Sequence, residues 1–126
     1  MNNRKLTKPI GYYSIFLGIS VIVMWVYILL SETITEGKTE ITFHLFSEFL
    51  MALLCFLSGF LLIRGQSKGQ VANSAAHAMV LYSLINAMGY YAERDEISMV
   101  VLFIILALLS ISILFYHFII ANLNHS

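Results

Sequence analysis

Four long apolar stretches, roughly Ile10–Leu30, Phe43–Ile63, Val71–Tyr91 and Ile97–Ile120, are separated by short polar segments. Each stretch holds about 20 residues, and a rise of about 1.5 Å per residue makes that a match for the roughly 30 Å hydrocarbon core of a bilayer. In hydrocarbon only helices and closed barrels satisfy their own backbone groups, and apolar runs this long are not barrel strands. Short connections make sequential helices antiparallel neighbours. The pattern therefore predicts an all-α, polytopic integral membrane protein: a four-transmembrane-helix antiparallel bundle forming one domain over residues 1–126, with left-handed packing as the default.

The apolar stretches are not uniform around their axes. In the second, His44, Glu48, Ala52, Cys55, Gly59 and Leu62 share a stripe, opposite Phe46, Phe49, Leu50, Leu53, Phe56, Leu57 and Phe60. Small and polar residues pack between membrane helices while large apolar ones face lipid, so this stripe is expected to point inward. The third stretch repeats Ala72, Ala75, Met79, Tyr82, Asn86 and Gly89 at a three–four spacing, which predicts a second seam. Gly11, Ser14 and Gly18 form a small-residue edge on the first. The expected packing positions are Gly11, Ser14, Gly18, Ala52, Gly59, Ala72, Ala75 and Gly89.

Charge sets the expected orientation. Arg4, Lys5, Lys8, Arg64 and Lys68 lie at one end of the predicted bundle and Lys38 and Arg94 at the other, which places the N and C termini in the cytoplasm. The first stretch is too long for the core of a secretory signal, and no small-residue cleavage pattern follows it, so it is read as a retained helix. Pro9 suits the first turn of that helix. The segment Ser31–Thr42 is read as an acidic outer loop, with a small β-hairpin around Gly37 as the alternative. Asp95 is the expected N-cap of the fourth helix, with Glu96 favourable beside its dipole.

Composition narrows the function classes. The chain is 60% hydrophobic and 11% charged, far from the roughly 25% charged residues of a soluble domain. A formal net charge of zero leaves no basic footprint for nucleic acid. One cysteine, Cys55, forms neither an internal disulfide nor a thiolate cage. The sequence lacks H-E-x-x-H, P-loop, G-x-G-x-x-G and C-x-x-C motifs, and the segment Gly65-Gln66-Ser67-Lys68-Gly69 is read as an ordinary polar turn, so no catalytic residues are assigned and an enzyme is the least favoured class.

Glu48 carries most of the candidate chemistry. It lies about six residues inside the second predicted helix, roughly 9 Å into the core, and a carboxylate within the bilayer needs a partner, a proton or a wet cavity. Asn86 and Tyr90 on the third helix are expected at similar depth, giving an outer ligand- or proton-binding cluster of Glu48, His44, Asn86 and Tyr90. His44 and Glu48 also form an H-x-x-x-E pair on one helical face, a weak two-ligand candidate for a metal. His77 lies on the other side of the third helix and is read as snorkelling or subunit-facing. Its depth matches that of His117, as in a bis-histidine haem site, but no second ligand pair supports haem and no cofactor is assigned. The leading expectation is a small protein of the plasma (inner) membrane that transports or binds a proton, cation or small solute in an outward-facing polar cleft around Glu48. The alternative is a non-catalytic accessory or scaffold subunit, in which the same groups join helices. The expected partners are the lipid bilayer and either a homo-oligomer or a larger membrane complex.

Overall fold

The computed structural model describes residues 5–31 and 34–126. Among these, four helices run in the order α1 Thr7–Ser31, α2 Lys38–Ile63, α3 Ser67–Ala92 and α4 Ile97–His125, and no strand occurs. Arg4 and the loop residues Glu32 and Thr33 lie outside the described residues. Each helix packs chiefly on the next in sequence, which is the up–down arrangement that short connections impose.

The helix ends follow from local chemistry. Pro9 sits in the first turn of α1, where its missing N–H leaves no bond unmade, and Ile10 N–H donates to the Leu6 carbonyl at 3.0 Å. The β-hairpin alternative for the outer loop does not form, because α2 already begins at Lys38 and takes up the loop's second half. Gly65 closes α2 at φ +70°; Gly65 N–H reaches the Leu62 carbonyl and Gln66 N–H the Leu61 carbonyl, a Schellman motif. The same motif ends α3. Asp95 takes the left-handed position (φ 57°), its N–H bonding the Ala92 carbonyl while Glu96 N–H bonds that of Tyr91. Asp95 therefore terminates α3 and does not N-cap α4, whose cap position is Glu96. Aspartate is among the few residues other than glycine that visit this conformation readily.

Three helices, α1, α2 and α4, are long and apolar enough to cross a membrane; α3 is not. The difference comes from polar residues, and their location is inverted relative to a soluble protein. Ser14, Ser58, Asn73, His77 and Ser110 are each fully buried, whereas Phe16, Phe43, Phe46, Phe115 and Phe118 are exposed. A compact apolar layer of Leu17, Met51, Val80, Leu84 and Phe103 crosses the bundle between two polar levels.

The small-residue edges of α1 and α2 meet. A Cβ on Gly11 would lie 2.7 Å from the Gly59 carbonyl oxygen, and one on Gly18 would lie 2.7 Å from that of Ala52. Ser14 and Ala52 are fully buried in the same contact. On α3 the expected seam is displaced. Gly69, Asn73, Ala76, His77, Val80 and Leu84 are buried, while Ala75, Tyr82, Asn86 and Gly89 are exposed and Ala72 is half-buried. The inward face is thus turned by one residue, about 100°, from the small-residue repeat. Small residues occur all around α3 and do not select a face; Asn73 and His77, which need hydrogen-bond partners, do.

Candidate functional site

The outer polar level is centred on Glu48. With α2 beginning at Lys38, Glu48 lies nearly three turns into the helix, about 15 Å along it. Its side chain is buried between α1 and α3. Ser83 Oγ–H donates to Oε1 at 2.5 Å, and Trp25 Nε1–H donates to Oε2 over a longer 3.4 Å. Both donors are neutral. Among the described residues no Lys, Arg or His nitrogen lies within ion-pairing distance of this carboxylate.

The expected four-residue cluster is only partly assembled. His44 packs edge-on against the Trp25 indole, with ring centroids 5.0 Å apart, so it joins Glu48 through the tryptophan. Its Nδ1 meets Glu36 Oε2 at 3.5 Å on the exposed side. Asn86 and Tyr90 do not join the group. Both are exposed, and the Tyr90 ring carries the Arg94 guanidinium at 3.5 Å. The one-residue displacement of α3 explains the exchange, because it brings Ser83 to Glu48 and turns Asn86 away. Trp25 and Ser83 are the site residues that the pattern of the sequence does not single out. Trp25 resembles an ordinary interfacial aromatic, and its signal is its position about six residues from the outer end of α1, within reach of a carboxylate on the neighbouring helix. His44 and Glu48 turn to different partners, and among the described residues no group of three or more His, Cys, Asp or Glu side chains gathers to hold a metal.

A second, inner polar level is foreshadowed in the sequence by the matching depth of His77 and His117 alone. Asn73 on α3 is its hub. Its Nδ2 donates to Ser14 Oγ on α1 at 2.8 Å and to Ser58 Oγ on α2 at 3.0 Å, and its Oδ1 accepts from His117 Nε2 on α4 at 2.9 Å. One turn further, His77 lies between Ser14 Oγ at 3.0 Å and Ser110 Oγ at 3.1 Å. The directions of the bonds around Asn73 are mutually determined. Ser58 gives its hydrogen to the Cys55 carbonyl at 3.2 Å, so it can only accept from Asn73. Ser14 likewise accepts from Asn73, and His77 bridges it to Ser110, one ring nitrogen donating and the other accepting in the neutral imidazole. His77 is therefore neither snorkelling nor subunit-facing: it is fully buried, with the Tyr13 ring stacked on it. Both of its nitrogens are engaged by serines, so a bis-histidine haem has no free ligand there. Two buried atoms at this level lack a hydrogen-bond partner, Tyr13 Oη and His117 Nδ1.

At the cytoplasmic end in the predicted orientation, a polar mouth of about 100 Å³ is lined by Thr7, Gln66, Ser67, Gln70 and Asn124. A lateral groove of about 330 Å³ between α3 and α4 is lined by Gln70, Val71, Leu114, His117 and Phe118 among others. Gln70 is common to both, and its Nε2 donates to the His117 carbonyl at 2.7 Å.

No curated protein and no solved structure matches the chain. The model of a domain family of unknown function, DUF8058, matches residues 3–125, nearly the full length, and the chain belongs to that family.

Proposed function

We propose that the chain spans the plasma (inner) membrane four times, with both termini in the cytoplasm, and that it transports or binds a proton or small cation at Glu48. Support for a spanning α3 comes from the destination of its polar groups: Asn73 and His77 are satisfied inside the bundle and present nothing polar to lipid. The distribution of Lys5, Lys8, Arg64 and Lys68 against Lys38 and Arg94 orients the chain. Four helices enclose little space, so the working unit is a homo-oligomer. The outward face of α3 is the contact, where the exposed Asn86 amide, both donor and acceptor, can pair with its counterpart in a second copy.

One observation carries the functional reading: a carboxylate buried between helices and held by neutral donors from two of them, with no cationic side chain beside it among the described residues. On insertion scales a charged side chain at mid-membrane costs about 2.5–3.5 kcal/mol, and intramembrane acids mark proton and ion pathways by default. A carboxylate kept only to join helices would be better served by a basic partner or by an amide.

The test is proton flux into liposomes holding the full chain and a trapped pH-sensitive dye, driven by a potassium diffusion potential. Wild type is expected to conduct well above protein-free vesicles. Glu48→Gln, which keeps an acceptor for Trp25 and Ser83 but cannot ionise, is expected to fall to the protein-free rate while remaining folded. Equal rates for wild type and Glu48→Gln would overturn the proposal and favour an accessory or scaffold subunit.

A further inference from the structure

The two polar levels are separated by the apolar residues Leu17, Met51 and Val80, and among the described residues no side-chain hydrogen bond links the Glu48 group to the Asn73 group. A proton path through this bundle needs a second exchange group below that layer. Among the described residues the buried ones at the inner level include no Lys, Arg, Asp or Glu, and the side chains whose ordinary titration falls near neutral pH are His77 and His117. His77 has both nitrogens occupied by serines. His117, only 2% exposed, uses Nε2–H on Asn73 and keeps an unshared pair on Nδ1 that no protein group among the described residues meets.

We propose that His117 is the inner proton-exchange site, reached by water from the cytoplasmic mouth past Gln70; this rests on the reading of Glu48 as a proton carrier. The mouth has room for several waters, since a buried water needs only about 10–15 Å³ of such space, and its walls supply polar partners. Gln70 is shared between the mouth and the groove that His117 lines, and its amide already rests on the His117 backbone. A buried nitrogen without a partner loses its hydration uncompensated, so a water delivered past Gln70 meets a demand that the protein leaves open. The exchange step is simple. Water in the mouth passes a proton to the Nδ1 lone pair, Nε2–H stays on Asn73 Oδ1, and release reverses the transfer. The titratable groups around this site are His77 from α3, Tyr13 from α1, which stacks on His77, Cys55 from α2 and Tyr116 beside His117 on α4.

Solid-state NMR on the full chain in liposomes, labelled with ¹⁵N-histidine, tests the proposal. His117 is assigned by the loss of its signal in His117→Gln or, where that variant does not fold, by through-space contact with the Asn73 side chain. Magnetisation from water is expected to reach the His117 nitrogens and not those of His77. Gln70→Leu, which closes the polar wall, is expected to lose the water signal at His117 together with the wild-type proton flux. A His117 as dry as His77, or a Gln70→Leu protein unchanged in both readouts, overturns the inner site. Because flux in Glu48→Gln is read separately, a dry His117 beside a Glu48-dependent flux overturns the inner site alone. A wet His117 in a chain without such flux overturns both.

Discussion

Asn73→Leu is expected to destabilise the bundle by about 2–4 kcal/mol, measured as the unfolding free energy in bilayers. Leucine keeps the branched shape of asparagine and leaves no cavity, so the loss is that of polar partners. The variant removes the donors to Ser14 and Ser58 and the acceptor for His117. Interhelical hydrogen bonds in membranes average about 0.6 kcal/mol and reach about 1.7. A buried donor left with no partner adds about 1–3 kcal/mol. His117 accounts for much of the total, because Asn73 is the one side chain among the described residues that its ring bonds. Ser14 and Ser58 suffer less, since Ser14 keeps its bond with His77 and Ser58 its bond to the Cys55 carbonyl. Ser112→Ala is the control, because that exposed hydroxyl bonds only its own helix at the Leu108 carbonyl. It should stay within about 0.5 kcal/mol of wild type.

Gly59→Leu is expected to cost about 3 kcal/mol by the same measurement, at the upper end of what overpacking usually costs. A Cβ at this position would lie 2.5 Å from the Gly11 carbonyl oxygen and 3.2 Å from the Ile15 backbone nitrogen. Those are backbone atoms of α1 and cannot rotate aside, so α1 and α2 must separate along their shared edge. The separation also strains the hydrogen bonds that Ser14 makes across the inner level. Gly89→Leu provides the contrast. Nothing lies within 4 Å of a Cβ there, and the change should stay within about 0.5 kcal/mol of wild type.

These two glycines show how far the sequence can be read. On α2 the contrast between one stripe of small and polar residues and a broad face of Phe and Leu is strong, and the buried residues Glu48, Ala52, Cys55, Gly59 and Leu62 lie on that stripe. His44 departs from it because it stands near the helix start, where packing against α1 is limited to the Trp25 edge. On α3 the contrast is weak. Alanine and glycine occur at nearly every phase, and the small-residue repeat leads to a face that includes the exposed Ala75 and Gly89. The stronger signal is matching polar depth. Ser14, Ser58, Asn73 and His117 all lie within a few turns of the helix ends that the proposed topology places in the cytoplasm, and buried polar groups in lipid need one another. Reading each helix separately hides that match, along with the pairing of Trp25 and Ser83 with Glu48. Helix ends are legible only in part, because α2 and α4 extend as regular helix beyond the apolar stretches that announce them.

The proposed topology and function both require that α3, too polar to be recognised as a span by composition, crosses the membrane with its polar face as the inside of the bundle. Single cysteines at exposed positions test this most directly: Thr39→Cys at the start of α2, Ser67→Cys at the start of α3 and Glu93→Cys just past its end, each with Cys55→Ala and every basic residue retained. A membrane-impermeant thiol reagent applied to intact cells should label positions 39 and 93, and position 67 only after lysis. Labelling of 67 and 93 from the same side would show that α3 does not cross, and the four-span topology would be wrong.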